Sequence, residues 1–181
     1  YFSDSYADKN GNFVFEKKNI GYVRSMENSI NFIYKIIQHS RKKNVKILIE
    51  NLFPFNNQVR SLFCTFDQIN DLMKELPDDV GLLLDLGHLQ ISCNFFKLDK
   101  NKEFDKILNM FSDRIYEIHV SENNAINDSH KVINENSWQV KALKRVKGTT
   151  TQDHSERKIC LEVRNESVTS IKKCINLLDN I

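Results

Sequence analysis

Four residues with metal-ligand chemistry each follow directly on an apolar run. Glu50 ends Val45-Lys46-Ile47-Leu48-Ile49, Asp85 ends Val80-Gly81-Leu82-Leu83-Leu84, His119 ends Ile115-Tyr116-Glu117-Ile118, and Glu162 ends Ile159-Cys160-Leu161. The intervals between them are 35, 34 and 43 residues, each about one strand-helix unit long. A lone Glu after a strand is ordinarily solvated, and a lone His ordinarily packs. Four such groups at equivalent positions argue instead for one shared divalent cation. Three carboxylates and an imidazole form a hard-to-borderline set that suits Mn²⁺, Mg²⁺, Co²⁺ or Zn²⁺.

The neighbours of these residues extend the chemistry. Asp85-Leu86-Gly87-His88 places an imidazole three residues past the second carboxylate, with a glycine expected to turn the chain tightly between them. Asp128-Ser129-His130 follows His119 and is expected either to bind a further metal or to orient the first ligands. Arg164, two residues beyond Glu162, is a candidate for gripping substrate or phosphate. Phe53, Phe55 and Phe63 are read either as an apolar lid or as packing residues. Trp138 is expected to pack the start of its helix. Lys141, Lys144, Arg145 and Lys147 are read as a solvated helix face, and His39 and His154 as surface residues.

The elements that must position these groups follow from periodicity. Residues 1–24 read as polar and irregular, with a turn signal at Asn10-Gly11. Helical spacing of Met26, Ile30, Ile33, Ile36 and Ile37 predicts a helix from Ser25 to about Lys43. The strand ending at Glu50 leads into a loop over 51–65 and a helix over Phe66–Glu75. Beyond the strand ending at Asp85, a helix is expected over Phe104–Phe111. The strand ending at His119 is followed by a polar loop, Ser121–Asn136, and a helix over Ser137–Lys147. A fourth strand ends at Glu162, and a last helix covers Val168–Leu178. Such alternation predicts a parallel sheet with helical crossovers. All strand C-termini then share one edge, which in a barrel is the edge that carries active sites.

Bulk properties narrow the class. A length of 181 residues suits one domain, and 40% apolar with 28% charged residues is ordinary for a globular chain. The formal charge of +2 gives no basic surface for nucleic acid and no argument for a membrane. The four cysteines, Cys64, Cys93, Cys160 and Cys174, fit no zinc framework; packed, reduced thiols and a cytoplasmic setting are expected. No apolar run approaches the roughly 20 residues of a membrane span. The sequence opens on Tyr1 rather than Met, so a chain missing its natural start is expected.

Five segments, taken in order, resemble the xylose-isomerase-like barrel superfamily, which holds sugar and sugar-phosphate isomerases and epimerases together with endonuclease-four-type repair enzymes. They are Ile47-Leu48-Ile49-Glu50-Asn51, Leu83-Leu84-Asp85-Leu86-Gly87-His88, Ile118-His119-Val120-Ser121-Glu122-Asn123-Asn124, Asp128-Ser129-His130 and Cys160-Leu161-Glu162-Val163. The resemblance covers roughly residues 25–180 and implies the last four units of a parallel (β/α)8 barrel, with the N-terminal strands missing from a single domain over 1–181. It implies Glu50, Asp85, His119 and Glu162 as metal ligands and His88 as a substrate contact. Glu50 and Glu162 would exchange the proton of a keto-sugar or sugar phosphate through an enediolate. Three alternatives stand beside this: an abasic-site endonuclease using His88, Asp128 and His130 to hold up to three Zn²⁺, an iron-dependent peptide-modifying enzyme, and a non-catalytic half barrel. Where relatives often carry a Gly-Glu-Gly turn, this chain has Asn134-Glu135-Asn136, and Asn is expected to serve there because it tolerates positive φ. Four strands leave open edges, so a second copy or a missing barrel half is the expected partner, along with a small sugar.

Overall fold

The computed structural model describes residues 3–7, 9, 13–54 and 61–181. Asn10, Gly11 and Phe55 lie outside the described residues. The N-terminal stretch is not irregular. Strands β1 (Ser3–Ala7) and β2 (Phe13–Asn19) pair antiparallel, with Tyr6 opposite Val14 and Ala7 opposite Phe13. Helix α1 (Tyr22–Lys42) follows, and its buried Met26, Ile33 and Ile37 share one face.

A four-stranded parallel sheet then runs in chain order: β3 (Leu48–Glu50), β4 (Gly81–Asp85), β5 (Ile115–Val120) and β6 (Lys158–Leu161). The connecting helices are α2 (Phe66–Glu75), α3 (Leu86–Phe96), α4 (Lys100–Phe111), α5 (Trp138–Val146) and, after β6, α6 (Val168–Asp179). β3 is shorter than Val45–Ile49 predicts. Its neighbour β4 pairs with it only from Leu48 opposite Gly81 onward, and Lys46 turns away to Asp153, 2.6 Å distant.

Alternation along the strands separates the two faces of the sheet. Leu82, Leu84, Ile118 and Val120 are fully buried against the helices and join Ile69, Leu72, Phe104, Ile107 and Val140 in the core. On the other face Leu83, Glu117 and His119 are only partly buried. That face corresponds to the interior of a barrel.

Helix starts are fixed by side-chain caps. Thr65 accepts from the Gln68 N–H, Asp99 from Asn101 and Lys102, and Ser167 from Ser170. Two arginines tie down the opposite end of the sheet from the strand ends. Arg114 donates to the carbonyls of Met73, Pro77 and Val80, and Arg157 to those of Ser112 and Ile115, both at 2.7 Å. All four cysteines are free. No helix among the described residues is long and apolar enough to cross a membrane.

Candidate metal centre

The parallel register delivers the strand-end residues to one place. Asp85 lies opposite His119, and Glu50 and Glu162 arrive from the two edge strands. From His119 Nδ1, Glu162 Oε1 is 3.3 Å away, Glu50 Oε1 3.9 Å and Asp85 Oδ2 4.0 Å. Ligand atoms of Glu50, Asp85 and His119 all lie within 4.8 Å of one another. Burial grades outward, from 2% side-chain exposure at Asp85 to 35% at Glu50. The deep carboxylate is therefore fixed while the outer ones stay reachable.

Asp85 is held by local structure on both sides. It is the N-cap of α3, and its Oδ1 accepts the His88 N–H at 2.7 Å, leaving Oδ2 for the cluster. Asn51, fully buried, brackets the Asp85 backbone. Its Oδ1 accepts the Asp85 N–H at 2.7 Å, and its Nδ2 donates to the Asp85 carbonyl at 2.9 Å. The expected tight turn at Gly87 is instead the first turn of α3, without positive φ. Glycine suits the close approach there, since a Cβ would press on Asn123 Nδ2 at 3.0 Å and Ser121 Oγ at 3.1 Å.

His88 is drawn into the same cluster. Its Nδ1 donates to the Asn51 carbonyl at 2.9 Å and lies 3.4 Å from Glu50 Oε1, while Nε2 is 3.7 Å from Asp128 Oδ2. The Phe53 ring tilts against it at 4.7 Å. Burial works against the charged ring, but Asp128, Asp85 and the Asn51 carbonyl outweigh it and push the pKa up to about 9. Burial likewise raises Glu50 and Asp85 above the usual carboxylate range, with His88 pulling the other way. Burial also opposes ionisation of Asp128, yet His88 and His130 hold it below its ordinary value.

Asp128 and His130 sit at the rim as an orienting pair. His130 Nε2 is 2.6 Å from Asp128 Oδ2, and Nδ1 is 3.0 Å from the Glu162 carbonyl. His130 adopts φ 48°, a conformation that costs energy for a residue with a Cβ, so the loop is held there by its contacts. Arg164 does not enter the cluster: its side chain is exposed, and only its backbone N–H takes part, donating to the His130 carbonyl at 2.9 Å. Asn134 and Asn136 do not use positive φ. The turn closes through side chains, with Asn134 Oδ1 accepting the Asn136 N–H and Ser137 Oγ accepting the Asn134 N–H. Trp138 packs edge-on against Phe104 as expected.

Three contributors carry little signal in the sequence. Asn51 stands out only as part of the Glu50-Asn51 pair, and Glu117 only as an acidic residue inside an apolar strand; Glu117 Oε1 lies 3.0 Å from His119 Nε2. Cys160 is expected to be a packed thiol, but it is only partly buried. It faces Glu117 and His119, with ligand atoms of the three within 4.8 Å. Burial and the nearby Glu162 and Glu117 push its thiol pKa up.

The chemistry of the donor set fits a cation. Among the described residues, His119 Nδ1 is buried and has no hydrogen-bond partner, although three carboxylate oxygens lie within 4.0 Å of it. Bonds of about 2.1 Å allow ligand atoms to stand up to about 4.2 Å apart. The three oxygens at 3.3, 3.9 and 4.0 Å satisfy that span as measured from Nδ1, but the group whose ligand atoms all lie within 4.8 Å of one another holds Glu50, Asp85 and His119 without Glu162.

With this fold and geometry, a model of the xylose isomerase-like TIM barrel family matches residues 11–157, well over half of the sequence, and the chain belongs to that family. Among solved structures, a D-tagatose 3-epimerase-like protein superposes with a TM-score of 0.66 at 20% identity, covering 86% of this chain and 53% of its own. The TTHB071 protein from Thermus thermophilus, in a structure soaked with ZnCl2, gives 0.54 at 13% identity, covering 87% and 56%. At these identities the likeness is one of fold. The chain spans about half the length of these structures. No curated protein matches the sequence.

Proposed function

We propose that this chain carries the metal-binding side of an isomerase or epimerase that acts on a keto-sugar or its phosphate. The observation that carries the reading is the buried, unpartnered Nδ1 of His119 facing three carboxylates. Glu50, Asp85, His119 and Glu162 would hold one Mn²⁺, Mg²⁺, Co²⁺ or Zn²⁺. Such a cation polarises a carbonyl and a neighbouring hydroxyl, lowering the cost of enediolate formation. Glu50, at the end of β3, and Glu162, just past β6, keep 35% and 32% of their side chains exposed and reach the mouth of the site. One takes the proton beside the carbonyl, and the other, which starts protonated, gives its own proton to the enediolate carbon, so the two carboxyl groups end with exchanged protonation states. His88 offers a hydrogen bond to a substrate oxygen.

The test is elemental analysis followed by a keto-sugar panel with added Mn²⁺. Glu162→Gln is expected to cut turnover by about 10²–10⁴-fold while part of the metal stays bound. Full activity in that variant refutes the proton-transfer role.

One observation favours a second reading, a zinc-dependent endonuclease acting at abasic DNA sites. Among the described residues, Asp128 Oδ1 is also buried without a hydrogen-bond partner, and Asp128 Oδ2 lies 3.7 Å from His88 Nε2. About three zinc ions per intact protein, with cleavage of abasic DNA, would support it over the isomerase. The formal charge of +2 weighs against it.

A further inference from the structure

We propose that Glu117 is a positioning residue that fixes the proton of the His119 imidazole on Nε2 and leaves the Nδ1 lone pair aimed into the cluster. The inference rests on the metal centre proposed above and deepens it. Glu117 and His119 are two residues apart in β5, so their side chains project from the same face of the sheet. Glu117 Oε1 lies 3.0 Å from His119 Nε2, on the far side of the ring from Glu50, Asp85 and Glu162.

A neutral imidazole carries one N–H. With that proton on Nε2, the N–H donates to the Glu117 carboxylate and Nδ1 presents a lone pair on the side of the ring where Glu162, Glu50 and Asp85 oxygens lie at 3.3, 3.9 and 4.0 Å. The opposite tautomer sets a nitrogen lone pair against a carboxylate oxygen at 3.0 Å and points an N–H at the place a cation would occupy. Glu117 reaches the far nitrogen of the ring rather than the converging carboxylates, so it acts through His119. The signal in the sequence is Glu-x-His at the end of an apolar strand.

The test uses the chain as it stands and Zn²⁺ as the probe. Two-bond ¹⁵N–¹H spectra of the metal-free protein, at a pH where imidazoles are neutral, are expected to show the His119 proton on Nε2. In Glu117→Leu the tautomers are expected to mix, and Zn²⁺ affinity to fall by about 10–100-fold with an unchanged far-ultraviolet circular dichroism spectrum. Glu117→Gln keeps the shape and an acceptor oxygen but not the charge, and a several-fold loss is expected. A wild-type proton on Nδ1 overturns the proposal. So does Zn²⁺ affinity within twofold of wild type in either variant. If the wild-type chain binds no Zn²⁺, the metal reading fails by itself, while the tautomer spectra still decide the role of Glu117.

Discussion

Replacing Asn51 by Leu tests whether the cluster is held by the backbone bracket beneath it. The substitution keeps the number and branching of side-chain heavy atoms but removes both partners of the Asp85 backbone, an acceptor at 2.7 Å and a donor at 2.9 Å. Asn51 and Asp85 are both buried, so water does not replace the lost bonds. Each stranded buried group costs about 1–3 kcal/mol, and added apolar burial offsets part of that, leaving roughly 2–4 kcal/mol of lost stability. With a urea m value of about 2 kcal/mol/M, the unfolding midpoint should fall by roughly 1–2 M. Zn²⁺ affinity should fall with it, because Asp85 Oδ2 depends on that bracket for its position. Urea titration by circular dichroism, with and without Zn²⁺, reads both effects. A midpoint within about 0.3 M of wild type would show that Asp85 is held by other contacts and refute the reasoning.

The remaining predictions concern pH and the far end of the sheet. The raised pKa of His88 stabilises the metal-free fold below the ordinary value of 6.5, and that contribution is lost as pH rises through about 9. Urea midpoints of metal-free protein should therefore decline over that window, and His88→Asn should flatten the decline. Protons on Glu50 and Asp85, whose pKa values burial raises, compete with a cation, so metal affinity should weaken as pH falls; calorimetry in buffers of different ionisation enthalpy should record proton release on binding. Arg157→Met strips hydrogen bonds from the Ser112 and Ile115 carbonyls and should cost about 2–4 kcal/mol, yet leave Zn²⁺ affinity within twofold. A large loss of affinity there would show that the two ends of the sheet are coupled.

The elements that periodicity does not reveal share physical causes. Helix α3 has no amphipathic period to read, because every residue from Leu86 to Cys93 is buried. The short strand β3 differs from its apolar run because pairing partners, not composition, set strand limits. The β1–β2 pair is local, with partners 6 to 16 residues apart, and its polar composition rather than distance hides it from periodicity.

The alternation of strands and helices, and the placing of Glu50, Asp85, His119 and Glu162 at strand ends, are legible in the order of residues alone. Periodicity encodes the strands, and parallel pairing brings their C-termini to one edge. How those groups meet is settled in three dimensions: which oxygen of Asp85 is spent on capping α3, that Asn51 grips the Asp85 backbone, and that Arg164 stays outside. The same holds for the two nitrogens of His119, one facing Glu117 and the other unpartnered. The Asn51–Asp85 bracket joins residues 34 apart, and the Asp85–His88 and Glu117–His119 contacts, though local, turn on side-chain direction that packing sets.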